Sequence, residues 1–265
     1  MDYYSSIRPI KHQYSTGEEP VLVDCSDQKT RVCKYSRSSG SAYKLVCELV
    51  GAKMSEGWLL GCPKVDFVSV KRAHIPDNVS PHFFSLPCVG CEFIQGVVDI
   101  TPTSYHKVPA TDETLMQLLR IALFDFWMAN EDRNANNANL MYDIQNECLV
   151  PIDNGCILNT ATFEYPLSQL TNTDSILSAD IFAHLTRSKS QNEVVSLLPM
   201  LDNYYNKSLD RCAKITENII VNIPEQWKIP QSIIQSKLDE LFTENWTTLV
   251  WENFVECLNE NLNHE

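Results

Sequence analysis

Apolar positions recur with a period of two over much of the chain before about residue 95, and with the helical period of about 3.6 over most of the remainder. Residues 20–24 and 30–35 are short β-like runs separated by the turn formers Ser26, Asp27 and Gln28. Residues 38–41 give a loop and an N-cap for a helix running to about Met54, with Ala42, Leu45, Val46, Leu49 and Val50 on one stripe. Residues 65–70 alternate as a strand, three prolines make 74–87 a loop, and 91–94 form a further strand ending at Gln95 and Gly96. After a join near 95–98, Asp112 caps a helix with Leu115, Leu118, Leu119, Ala122, Leu123 and Phe126 on one side. Asp125 and Asn130 then fall near its end, while Phe126 and Trp127 read as core. A hairpin of 140–142 and 148–152 follows, and then helical patterns at 178–187, 191–205, 209–220 and, in one or two pieces, 230–262. A strand-rich front (1–95) and a helix-rich back (96–265) make an α+β chain of two lobes rather than an alternating α/β one.

The polar breaks in this pattern carry the chemistry. Between the helix after Asp112 and the hairpin lie Asn130, Asp132, Arg133 and the asparagine-rich stretch from Asn134 to Asn139. Fourteen residues after Asn139, Asp153, Asn154 and Gly155 interrupt a second apolar run. An acid, an amide, a strand and a second acid before a glycine is the order of parts in the catalytic loop and metal site of protein kinases. There the first acid handles the acceptor hydroxyl, and the amide and second acid hold magnesium on the nucleotide phosphates. Magnesium is a hard cation that takes such oxygen ligands. Capping residues at an exposed helix end would account for Asp132 and Arg133 alone, but not for Asp153 beyond the strand.

Lys34 ends a strand, and Glu48 lies fourteen residues on in the next helix, the pairing that orients nucleotide phosphates in kinases. Taken alone, both are ordinary surface charges. Gly17 is the single glycine in the stretch from Ser15 to Pro20, where a turn could offer backbone N–H groups to phosphate or simply face water.

At 265 residues, 44% hydrophobic and 21% charged, the composition is that of a soluble globular protein. No apolar run reaches membrane-spanning length and no signal peptide opens the chain, so a cytoplasmic protein without a membrane partner is expected. The ten cysteines are scattered through apolar segments as small buried hydrophobes; Cys88 and Cys91 form a Cys-x-x-Cys pair without the further ligands zinc needs and read as core residues beside a turn. A net charge of −13 without a basic run argues against nucleic acid as the main partner.

The combination of Phe124, Asp125, Trp127, Asn130, Asp132 and Arg133, then Asn139-Leu140-Met141, then Ile152-Asp153-Asn154-Gly155 resembles the HipA-like kinases of bacteria, most closely their short single-domain branch. A Gly before a Pro and a strand, a Val-x-Lys strand, a Glu in the next helix and the stretch from Pro224 to Trp227 are similar too, so the resemblance covers roughly residues 7–240. It implies a two-lobed protein-kinase-like fold using ATP and Mg²⁺, with a serine or threonine on a protein as acceptor, in a toxin–antitoxin or stress-response setting. It implies Asp132 as the catalytic acid and Asp153 as a metal ligand. It further implies Asn139 as the second metal ligand, with Asn137 in reserve because the usual kinase spacing counts five residues from the acid. Lys34, Glu48 and Gly17 would serve the phosphates, and Phe93, Ile94 and Gln95 would border adenine where the lobes join. Asn134 stands where larger relatives carry a His. A pseudokinase that binds without turnover, and a lipid or small-molecule kinase, remain open alternatives, although no basic membrane-facing patch favours lipid.

Overall fold

The computed structural model describes residues 1–37 and 41–263. The loop and N-cap expected at 38–41 fall on residues 38–40 and on the Ser41 side chain, outside what is described. A six-stranded sheet is built from β1 (Tyr3–Ser5), β2 (His12–Gln13), β3 (Val21–Asp24), β4 (Thr30–Lys34), β5 (Val65–Ser69) and β6 (Cys88–Glu92). Its order is β1-β5-β6-β4-β3-β2, antiparallel except where β1 runs parallel to β5. Helix α1 (Ser41–Gly57) packs on one face. A second, three-stranded sheet joins β7 (Val97–Asp99), β8 (Leu140–Asp143) and β9 (Cys148–Pro151). Around it lie α2 (Asp112–Met128), α3 (Ile157–Ala161), α4 (Asp180–Thr186), α5 (Gln191–Val195), α6 (Leu198–Val221), α7 (Gln231–Glu240) and α8 (Glu244–Leu262). This is the expected two-lobed α+β architecture.

Several elements depart from their sequence patterns for identifiable reasons. Strand β5 is buried on both faces instead of alternating: Val65 and Phe67 face the main core, while Val68 joins a smaller one around Val21, Val23 and Cys88. Strand β6 begins at Cys88, so Cys88 and Cys91 lie within a strand rather than beside a turn. Helix α2 is not one-sided; every residue from Ile121 to Asn130 is buried, because neighbouring elements enclose it. Its N-cap is Thr111, whose side chain accepts from the Thr114 N–H, and Asp112 supplies first-turn charge instead. The segment expected as one helix at 191–205 breaks at Ser196 and Leu197, with Pro199 in the first turn of α6, which then runs unbroken through 205–209. The first helix extends three residues past Met54, to Gly57.

Aromatic packing fixes α1 to the helical part. Trp58, just past the end of α1, stacks on Trp127 of α2 with ring centroids 5.5 Å apart and meets Phe124 edge-on at 5.4 Å. Trp127 Nε1 donates to the Leu241 carbonyl at 2.8 Å. Trp227 reaches back to the large sheet, donating to the Pro87 carbonyl at 3.0 Å and meeting Phe67 edge-on at 5.7 Å. The two parts therefore share one apolar core, and a residue on α1 is held in register with residues after β9. No helix among the described residues is long and apolar enough to cross a membrane.

Candidate active site

Strand β4 ends on Lys34, and α1 places Glu48 opposite it. The Lys34 ammonium lies 2.5 Å from Glu48 Oε1 and 2.6 Å from Asp153 Oδ1, so a residue from the strand, one from the helix and one from the segment after β9 meet at one point. Glu48 Oε2 accepts the Asn154 N–H at 3.2 Å, which ties the same carboxylate to the next residue of that segment. Close approach of helix and segment depends on two glycines. A Cβ on Gly51, one turn after Glu48, would sit 2.3 Å from the Asn154 Cβ, and one on Gly155 would sit 2.9 Å from Glu48 Oε1.

One ammonium serves two carboxylates, and burial decides how they share it. Burial pushes the Glu48 carboxyl up, to about 7, against the pull of Lys34. Burial would also raise Asp153, but the Lys34 charge outweighs it and holds Asp153 down at about 2. Burial alone would lower Lys34; the charges of Glu48 and Asp153 prevail and keep it above its usual value.

The residues between α2 and β8 form a second group, anchored by Arg133. This guanidinium is fully buried; it contacts Asp125 Oδ1 of α2 and donates to the Ile152 carbonyl at 2.9 Å. Asn130 Nδ2 adds a bond to Asp125 Oδ1 at 2.8 Å. Burial pushes Asp125 up, to about 6, against the opposing charge of Arg133. The loop is thus tied at one end to α2 and at the other to the residue preceding Asp153. Asp132, left half-exposed, turns its Oδ2 to Asn139 Nδ2 at 3.0 Å and to Asn137 Nδ2 at 3.2 Å. Asn139 has a positive φ of 44° where it enters β8, and its carbonyl accepts the Ile152 N–H at 3.0 Å. Asp153 also takes a positive φ, 60°. Such conformations cost energy and are retained where the surroundings over-determine them. Burial, followed by the charges of Asp132 and Asp153, pushes the Cys156 thiol up to about 11, so both acids act on one neighbourhood.

Lys34, Glu48 and Asp153 are therefore in contact, and Asp132 joins Asn137 and Asn139. No contact among the described residues joins Gly17 to Lys34. The Gly17 carbonyl accepts from Arg37 at 3.4 Å, and the next residue, Glu18, lines the recess beside Lys34. Phe93, Ile94 and Gln95 follow β6; no described contact joins them to the Lys34 group, and no hydrogen bond among the described residues engages the main chain of Ile94 or Gln95. Sequence reasoning missed the anchoring roles of Arg133, Asn130 and Asn154, and it missed Lys44. Lys44 stands one helical turn before Glu48, so helical spacing puts it on the same face as Glu48.

The sequence profile of the HipA-like kinases matches residues 7–251. The chain belongs to the HipA-like kinase family. No curated protein matches its sequence. Among solved structures, this HipA-like chain is similar in fold to the proinflammatory kinase CtkA of Helicobacter pylori, with a TM-score of 0.55 at 13% identity over 96% of this chain and 99% of that one. The Golgi casein kinase, also solved with Mn and ADP bound, aligns at 10% identity over 98% of this chain and 76% of its own; TM-scores of 0.47 and 0.48 leave it without weight here.

Proposed function

We propose that this HipA-like protein is an ATP-dependent kinase that uses a divalent cation, Mg²⁺ in the cell, and phosphorylates a serine or threonine hydroxyl on a protein. The observation that carries this reading is Lys34 held at 2.5 and 2.6 Å between Glu48 and Asp153, beside a loop in which Asp132 is oriented by Asn139 at 3.0 Å. Lys34 would bind the nucleotide phosphates and Glu48 would orient it. The lobes would divide near residue 95, with the backbone groups of Ile94 and Gln95, which make no hydrogen bond among the described residues, bordering adenine beside Phe93.

The donor set fits a divalent cation. Asp153 is one-third exposed and ionised, and Asn139, having turned its Nδ2 to Asp132, has an Oδ1 that takes no donor among the described residues. Asp153 and Asn139 would hold the cation, with Asn137 as the alternative amide; when bound it would neutralise charge on the phosphate oxygens. Asp132 would orient the acceptor hydroxyl and take its proton. The acceptor oxygen forms its bond to the γ-phosphorus as the bond from that phosphorus to the bridging oxygen of ADP breaks.

The test is binding followed by transfer. ATP with Mg²⁺ should raise the melting temperature of the wild type by linkage. Lys34→Ala and Asp153→Ala should each remove that shift, and γ-labelled ATP should label a protein acceptor. An unchanged shift in both variants contradicts the site; binding without transfer under any divalent cation makes the protein a nucleotide-binding module.

A further inference from the structure

A second cation faces the Lys34 recess. Lys44 and Glu18 line it together with Lys34, Glu48 and Gly155. The Lys44 ammonium is 2.5 Å from Glu18 Oε1, which brings the loop carrying Gly17 against α1. The next loop residue, Glu19, holds Arg37 at 3.2 Å and Gln13 at 2.9 Å. Two acids of the loop are thus paired with cations, and one of these, Lys44, lines the recess.

This pairing matters because Lys34 has no charge to spare. Its ammonium already answers two carboxylates, so the trio has no surplus of positive charge. An incoming polyphosphate also lacks the backbone nest that several glycines would provide, since Gly17 is the one glycine of its loop. Lys44 supplies what is missing: a cation on the face of α1 that carries Glu48, close enough for Asp153 to act on it. Its bond to Glu18 is about two-fifths exposed on each side, so the ammonium can exchange one anion for another without a bare charge being buried.

We propose that Lys44 is a phosphate ligand of this site and that Glu18 holds its place, so that a nucleotide's phosphates bind by taking the Lys44 ammonium from Glu18 and releasing the 15–20 loop. The inference rests on the nucleotide-binding reading of Lys34 and Asp153. It makes Glu18 an internal competitor of the phosphates, and it places the selectivity for polyphosphate over nucleoside partly on α1.

The experiment is calorimetric titration of the full chain with Mg·ATP and, separately, with adenosine, at fixed ionic strength. Lys44→Ala should weaken Mg·ATP by about tenfold, the scale of one hydrogen bond to a charged group, with Lys44→Arg restoring most of the loss. Glu18→Gln should tighten it by about threefold, the scale of an exposed ion pair. In the Lys44→Ala background Glu18→Gln should add nothing, and neither change should alter adenosine binding. If Lys34→Ala abolishes Mg·ATP binding while Lys44→Ala leaves it unchanged, the Lys44 assignment falls and the kinase site stands. If Glu18→Gln tightens binding equally with and without Lys44, the effect is general charge and the assignment falls. If the wild type binds no Mg·ATP, the underlying site falls and this inference with it. Should Lys44→Ala fail to fold, Lys44→Met, which keeps the length of the side chain and removes its charge, takes its place alone and with Glu18→Gln and gives the same decision.

Discussion

Arg133 is the residue on which the geometry of the loop most depends, and replacing it with Met isolates its charge from its bulk. In the native protein the guanidinium contacts Asp125 Oδ1 and donates to the Ile152 carbonyl at 2.9 Å, with both side chains essentially inaccessible. After Arg133→Met, Asp125 keeps only the Asn130 amide at 2.8 Å, and its Oδ2 is already buried without a hydrogen bond. Breaking a buried pair from one side costs about 3–5 kcal/mol. For a chain of 265 residues that corresponds to a fall of about 10 °C in melting temperature. The loss should depend on pH. Burial already holds Asp125 at about 6 against the pull of Arg133, and without that pull the carboxyl climbs further above its unfolded value. A carboxyl raised in the folded state gains stability as pH falls through the raised value, so the cost of Arg133→Met should shrink by about 1.4 kcal/mol per pH unit over that range. Thermal and urea melts at about pH 8 and about pH 5.5 measure this. The double change Asp125→Asn with Arg133→Met should be more stable at about pH 8 than Arg133→Met alone, since no bare charge is buried. A penalty independent of pH, or a double variant as unstable as the sum of the singles, would refute the pairing.

Three further outcomes follow from particular contacts. Glu48 is raised to about 7 when folded, against an ordinary value of 4.5, so it costs stability above about pH 7 and that cost is relieved as pH falls toward 4.5; Glu48→Gln should remove about 1–3 kcal/mol of this slope, and an unchanged stability–pH curve would contradict the raised value. Gly51→Ala places a Cβ 2.3 Å from the Asn154 Cβ, so stability should fall by about 1–3 kcal/mol in urea melts although alanine is the better helix former; a gain in stability would show that α1 and Asn154 are not in close contact. Trp227→Phe removes the bond to the Pro87 carbonyl at 3.0 Å and should cost about 1 kcal/mol, with amide exchange near residue 88 speeding first; unchanged exchange there would rule out a clamp.

The sequence carried the local rules of the fold but not its enclosure. Strands β3 and β4 and the hairpin of β8 and β9 were legible because turn formers bound short β-like runs. Strand β7 was not, since its three residues, Val97–Asp99, owe their conformation to pairing with β8. The all-round burial of α2 and of β5 was hidden for the same reason: which faces are covered depends on partners far along the chain. At the site, residue types and spacing pointed to Lys34, Glu48, Asp132 and Asp153, with the family resemblance favouring Asn139 and the usual spacing leaving Asn137; Lys34 and Glu48 meet Asp153 in space. Arg133 looked like a helix-end charge because its partners, Asp125 and Ile152, become neighbours only when the loop closes between α2 and β9. Glu18 and Lys44 lie 26 residues apart, and only the folded loop brings them together.

Asp132→Asn, measured for binding and transfer on the same preparation, tests the kinase assignment most directly. Asparagine keeps an oxygen to accept from Asn139 and Asn137, so the loop should hold its shape, but it cannot take the acceptor's proton. Mg·ATP should bind within about threefold of wild type, while single-turnover transfer of the γ-phosphoryl group to protein falls on the order of a hundredfold or more. Transfer at the wild-type rate would mean that Asp132 only orders Asn137 and Asn139, and that the hydroxyl is activated elsewhere or not at all.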